Sequence, residues 1–452
     1  MNRDWLWSDG CFLGVLLVSA VCMIWSARKP HHRMAFKRLF EKPVAVSAAI
    51  FLSFFLMIAV FDSIPAYHAK GSVSQSMQHT TLLDKALAPI GVMGEITYSS
   101  PLALTSYVSK TVWVHGVAEQ VYPRLRYPAE HFKTQADIHV FCMHVIEKAL
   151  LDSFLLVFAF SVVVWGGRRI LTQEKGQSVV PSMPFFSALV TLFVCISMVL
   201  IFYDVSRELH VFGTGKIGQD IFYHAIKSVR TGLVIGLLTT VFMMPLALSF
   251  GVMSGYFGGW VDDVVQYVYT TLSSIPGVLL ITASVLSIQT YLANHPHLIS
   301  NLADDADARL LALCFILGLT SWTTLCRLIR AEVLKLREID YVLAGTALGT
   351  SRFKIMTKHL LPNVMHIVLV TMVLDFSFLV LAEAVLAYIG VGVSPMTISW
   401  GNMINAARLE LSREPVVWWP ILAAFSFMFM LVLSSNVFAD AVRDAFDPRQ
   451  DG

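Results

Sequence analysis

Three groups of residues in this chain have types and spacing that could carry chemistry. Gly213-Thr-Gly-Lys216 has the look of a phosphate loop, in which backbone N–H groups and a lysine cradle phosphate oxygens. The full pattern needs a glycine five positions before its last glycine and a Ser or Thr after the lysine; this chain has His210 and Ile217 there, so the segment is no nucleotide site. His139, Cys142 and His144 are ligand types at close spacing, but a zinc site takes four well-placed ligands. Solvated or packed side chains are the simpler reading, and no metal is expected. Asp375 and Glu383 stand in an otherwise apolar run. Eight positions turn a helix by about 80°, so the two carboxylates share roughly one side. Either they relay protons, or one lines a water-filled path while the other pairs with a neighbouring helix near the outer interface. No group here makes a catalytic site.

The elements that must hold these residues are membrane spans. Of the 452 residues, 56% are hydrophobic and 14% charged, against roughly 25% charged in an ordinary soluble domain. Uncharged runs alternate with short stretches that hold most of the Lys, Arg, Asp and Glu. Nine runs approach the length a bilayer core requires: 10–27, 44–61, 149–166, 186–204, 230–254, 263–288, 310–330, 366–390 and 416–437. The first is read as a retained anchor, because Met1 to Gly10 carries Asp4, Asp9 and one basic residue, Arg3.

Arg28, Lys29, Arg33, Lys37, Arg38 and Lys42 follow that anchor and mark a cytoplasmic loop. Nine crossings then place 167–185, with Arg168, Arg169 and Lys175, and 331–365, with Lys335, Arg337, Arg352, Lys354 and Lys358, on the same side. The N-terminus falls outside and the C-terminus in the cytoplasm. The turn from Gly255 to Asp263 belongs to the cytoplasmic side too, yet it carries Asp262 and Asp263 and no basic residue. Residues 62–148 remain outside as a polar domain with turn-forming Pro65, Pro89, Pro101, Pro123 and Pro128. A net charge of +2, with no basic run interleaved with aromatics, excludes a nucleic-acid partner. Of the six cysteines, all but Cys142 fall in or beside apolar runs, so no disulfide framework follows.

Between the seventh and eighth runs the chain reads Asp340-Tyr-Val-Leu-Ala-Gly-Thr-Ala-Leu-Gly349, then Thr-Ser-Arg-Phe-Lys-Ile-Met-Thr-Lys-His-Leu-Leu-Pro-Asn363. This spells a helix, a glycine stop and a second helix. Ala344, Gly345 and Ala347 leave a shallow face for a close partner, Gly349 can end a helix in the left-handed conformation, Ser351 can cap the next helix, and Pro362 is expected to break it. The stretch resembles the cytoplasmic coupling loop of ABC importer permeases, the EAA loop. That pattern is Glu-Ala-Ala, three residues, Gly, nine residues, an apolar residue or His, one residue, Leu-Pro. Leu343, Ala344 and Gly345 take the first places, Gly349 the next, and His359, Leu361 and Pro362 the remainder. Leu343 stands where the pattern has its glutamate and Gly345 where it has its second alanine. The departure bears on any ionic contact of the glutamate, not on the docking geometry.

Further boxes are similar to the second, C-type, permease of the dipeptide/oligopeptide/nickel importers. His210-Val-Phe-Gly-Thr-Gly-Lys-Ile-Gly-Gln-Asp220 keeps Gly213, Thr214, Gly218 and Asp220 of a family glycine box, with Gly215 and Gln219 replacing an Asp and an Arg. Gly255-Tyr-Phe-Gly-Gly-Trp-Val-Asp262, Glu383-Ala-Val-Leu-Ala-Tyr-Ile-Gly390, Ser399-Trp-Gly-Asn402 and the tail from Asp440 to Pro448 complete the set in order. The resemblance implies an all-α integral membrane protein with a six-helix, type I permease core. The first core helix is 44–61, after an extra helix and basic linker at 1–43. An external domain at 62–148 and an extra hairpin at 149–204 follow, and the rest of the core is 205–452, with the coupling loop at 331–365.

Such a subunit pairs with a second permease in a heterodimer, docks two ABC ATPase subunits on Asp340, Tyr341, Ala344, Gly345, Leu348, Gly349 and their surroundings, and receives peptide from an external solute-binding protein. It binds no cofactor itself, the ATP being used by its partners, and it sits among lipid in the bacterial inner membrane. A nickel or other small-solute importer of the same family, a proton-coupled transporter using Asp375 and Glu383, and a membrane scaffold or sensor are the other readings.

Overall fold

The computed structural model describes residues 5–27, 30–66, 80–91, 94–114, 117–128, 132–175, 184–295 and 302–446. Arg3, Asp4, Arg28, Lys29 and Pro448 lie outside them. Among the described residues nine helices are long and apolar enough to cross a membrane. The chain divides into two units, the first formed by Met1–Phe36, Gly232–Thr397 and Ser435–Gly452, the second by Lys37–Thr231 and Ile398–Ser434.

The second unit takes the end of α2 (Pro30–Glu41), then α3 (Pro43–Ser63), which starts with a proline in its first turn, where the missing N–H is no loss. Short helices α4 (Leu82–Ala86) and α5 (Ala88–Gly91) and an antiparallel hairpin, β1 (Lys110–Val114) with β2 (Val117–Val121), follow in the segment before α6. Then come α6 (Gln135–Lys175) and α7 (Phe185–Ser206). Lipid offers no hydrophobic drive between helices, so small residues and side-chain hydrogen bonds hold them. Ser153 and Ser197 share one at 2.8 Å between α6 and α7; Ser47 of α3 bonds Ser187 and Thr191 of α7 at 3.0 and 2.8 Å. Helix α7 is thus bonded to both α6 and α3.

The span expected from residue 149 belongs to a longer helix, α6, which begins at Gln135. Ile138, Val145 and Ala149 are buried along one stripe while His139, His144 and Glu147 face out. An amphipathic start of this kind is helical by pattern and too polar for a hydropathy count.

The first unit holds α1 (Trp7–Ala27), most of α8 (Ile221–Phe257), α9 (Gly259–Ser274), α10 (Gly277–Asn294), α11 (Leu302–Leu336), α12 (Asp340–Ala347), α13 (Arg352–Ile355), α14 (Leu361–Ile389) and the end of α16 (Trp419–Phe446). Helices α8 and α11 touch through glycine. A Cβ at Gly251 would lie 2.8 Å from Ile329 Cβ, one at Gly255 2.7 Å from Val333 Cβ, and one at Gly318 of α11 2.7 Å from Phe242 Cβ. Helix α1 joins α11 by a hydrogen bond from Ser8 N to Asp307 Oδ2 at 3.1 Å.

Two sequence expectations are corrected here. The run 263–288 is not one helix: Pro276, which lacks an N–H and confines the residue before it to extended backbone, separates α9 from α10, and Ile275 is extended at φ −89°, ψ 131°. Pro362 breaks nothing, because it falls in the first turn of α14, directly after a π turn at Met356–Leu360 that rewinds the chain from α13. Ser351 sits at the N-cap of α13 with extended backbone, but its hydroxyl makes no capping bond.

Candidate functional site

The element between α11 and α14 has an inner and an outer face. Helix α12 carries Asp340 in its first turn, where a carboxylate suits the helix dipole. It ends in a Schellman motif: Thr350 N donates to Gly345 O and Gly349 N to Thr346 O, both at 3.0 Å, with Gly349 at φ +74°. Inward, Val342, Ile355 and Leu360 are at most 2% exposed. They pack in one apolar cluster with Val252 of α8, Val265 and Tyr269 of α9, Ile329 and Val333 of α11, and Val364 of α14, while Leu361 lies half-buried beside it. Tyr341 Oη accepts from Asn363 Nδ2 at 2.9 Å; that amide also donates to His359 O at 2.6 Å, and the Tyr341 and His359 rings stand 6.1 Å apart. Outward, Leu343, Leu348 and Phe353 are 47%, 85% and 75% exposed, beside exposed Ala344. The helical pair is thus packed on one face and exposed on the other.

The glycine box lies in the second unit and is buried. Gly213 and Gly218 take φ of +66° and +76°, and a Cβ at either would collide with backbone of the segment before α6, at Ser99 and Glu95 respectively. Thr214 Oγ1 accepts from Ser99 N at 2.7 Å and donates to Thr97 O at 2.8 Å; Thr214 O accepts from Trp419 Nε1 at 3.0 Å. Asp220 caps α8 by accepting from Tyr223 N at 2.9 Å and holds His210 Nδ1 at 2.6 Å. His210 is stacked on Tyr127 with ring centres 4.5 Å apart; its Nε2 makes no hydrogen bond and lies 4.0 Å from Glu95 Oε1, which accepts from Arg126 N and Tyr127 N at 2.6 and 2.7 Å. Gln219 folds over Gly215, where a Cβ would fall 2.7 Å from its Nε2, and accepts from Ile217 N at 3.1 Å.

The box thus fastens residues 95–127 to the start of α8. A second tie is ionic: Asp84 accepts from Tyr223 Oη at 2.7 Å and Lys227 Nζ at 3.0 Å, with Asp62 3.7 Å from Lys227. Burial works to raise the Asp84 carboxyl, but the Lys227 charge and the hydrogen bonds outweigh it and hold the group below its ordinary range. Glu95, Tyr127 and Asp84 were invisible to sequence reasoning, since the partners that tie them to the box and to α8, namely His210, Tyr223 and Lys227, lie more than 75 residues away.

Asp375 and Glu383 both lie on α14, Glu383 buried and Asp375 half-buried. Asp375 makes no hydrogen bond or ion pair with another described residue. His139 and His144 are exposed on α6, with Cys142 half-buried between them.

Residues 247–452 match the model of the family of binding-protein-dependent transport system inner membrane components. The chain is 31% identical over 243 residues to the dipeptide transport system permease protein DppC of Lactococcus lactis, an alignment covering 54% of this chain and 65% of that one, just under two thirds of its length. It is 28% identical over 240 residues to the oligopeptide transport system permease protein OppC of Bacillus subtilis, covering 53% and 72%. To a Brucella suis protein described as a peptide permease it is 31% identical over 242 residues, covering 53% and 73%. The chain belongs to this family, the membrane-spanning permease components of ABC importers of the dipeptide/oligopeptide class, and has their type I fold. It is a multi-pass membrane protein. Nothing among these relatives favours proton coupling through Asp375 and Glu383.

Proposed function

We propose that this chain forms, with a second permease, the translocation path of an ATP-driven peptide importer, and that two separate ATPase subunits dock on Asp340 to Lys358. One observation carries the reading: Val342, Ile355 and Leu360 are sunk into the same apolar cluster as α8, α9, α11 and α14, while Leu343, Leu348 and Phe353 face out. An ATPase gripping the outer face would move the inner face as a rigid body, and the membrane helices with it. Peptide as solute, delivered by an external binding protein, is supported by the kinship with DppC and OppC. The basic loops support a cytoplasmic α12 and α13 and an external N-terminus. With Leu343 in place of a glutamate, the grip is apolar rather than ionic. Asp375 lines the water-filled path, since an unpaired carboxylate is too costly against lipid.

The test is to purify the chain with its partners from native membrane. An ATPase subunit should co-purify, Gly349→Asp should release it, and membrane vesicles should take up labelled dipeptide only with ATP. A complex that transports without any ATPase would end this reading.

A further inference from the structure

The turn between α8 and α9 carries no basic residue of its own, and the structure shows where its counter-charges come from. Asp262 is gripped by Arg330 of α11 through two parallel bonds, Nε to Oδ1 at 2.5 Å and Nη2 to Oδ2 at 2.6 Å, and Gln266 Nε2 donates to the same carboxylate at 2.9 Å. Three more arginines converge there. Arg337, just past α11, donates from Nη1 to Gly255 O at 3.4 Å; Arg352 of α13 lies 6.0 Å from the Phe257 ring centre; Arg327 of α11 lies 5.5 Å from that of Tyr269. The glycines of α8 bring Gly255 against Val333, so the turn has no slack toward α11.

A bidentate guanidinium–carboxylate pair fixes direction as well as distance, which a point-charge lysine does not. Arg330 stands less than three helical turns before α12, on the helix that leads into it. We infer that the Asp262–Arg330 pair is a positioning link that makes α9 follow the coupling element, so that a push on α12 and α13 reaches the membrane helices through this turn as well as through the apolar cluster. The inference rests on the proposed importer function. Hydrogen bonding from Arg330 also keeps the Asp262 carboxyl below its ordinary range, so the link stays ionised at neutral pH.

The experiment uses the whole complex in liposomes with labelled dipeptide, and reads three quantities: ATPase subunits retained, ATP hydrolysed, and peptide moved per ATP. Asp262→Asn should keep the ATPase subunits and lower peptide moved per ATP about tenfold, within the range usual for coupling between sites. The exchanged pair Asp262→Arg with Arg330→Asp should recover much of the loss, which a merely structural defect would not. If Asp262→Asn lowers the thermal stability of the complex, Arg330→Lys, which keeps the charge but not the two parallel bonds, should still reduce peptide per ATP by a smaller factor. Asp262→Asn with peptide per ATP unchanged, or with ATPase subunits lost while the complex remains folded, overturns the link alone. A wild-type complex that carries no ATPase overturns the importer reading and the link together.

Discussion

Gly218 and Gly349 hold the same left-handed backbone for opposite reasons. At Gly218 a side chain is forbidden by what lies against it, the backbone of Glu95; at Gly349 nothing lies within 4 Å of where a Cβ would stand. One glycine closes a finished contact inside this chain, while the other ends a helix on a surface that has no partner here. A glycine at positive φ therefore says only that the backbone turns; the surroundings say whether stability or association depends on it.

The widest consequence of that contrast is for Gly218→Ala, which combines left-handed strain with a backbone collision and should cost about 3 kcal/mol or more. Purified in detergent, the variant should lose its cooperative melt or show a much lower Tm; a wild-type Tm would mean the backbone at Glu95 can retreat and the box is not a fixed contact. Leu348→Asp should leave Tm unchanged and weaken ATPase association by about 2 kcal/mol, roughly thirtyfold, measured by titrating the ATPase subunit onto the immobilised permease. If instead the melt shifts and association does not, the two regions are alike after all.

The smallest effect is acid sensitivity, which both regions share. Asp84, against Lys227, and Asp262, against Arg330, are each held below the ordinary carboxylate value near 4. The stability they supply is fully present above that value and is lost as pH falls through the depressed ones. Tm followed from pH 6 to about pH 3 should fall less steeply for Asp262→Asn than for the unaltered chain.

Spans and fold class were legible because hydropathy is a local average over about 20 residues. That same averaging hides Pro276, since one proline barely changes the mean of the run 263–288, and it passes over the amphipathic start of α6. The stop at Gly349 has a local signature, and Pro362 has one too, but the π turn before it leaves no mark in residue types. Least legible were pairings across the chain. Arg330 with Asp262 spans 68 positions and Thr214 with Ser99 spans 115, and no periodicity joins such residues. The acidic turn without basic neighbours was the only hint that a cation would arrive from elsewhere.

The bare outer face of α12 and α13 also bears on how the subunit is made. Leu348 and Phe353 stand in water until something covers them, and exposed apolar tips on membrane-held copies draw those copies to one another. On the proposed function, the chain is then safest when its ATPase partners are supplied at the same time and in matching number, so that the same face would set a timetable for synthesis as well as a place for attachment.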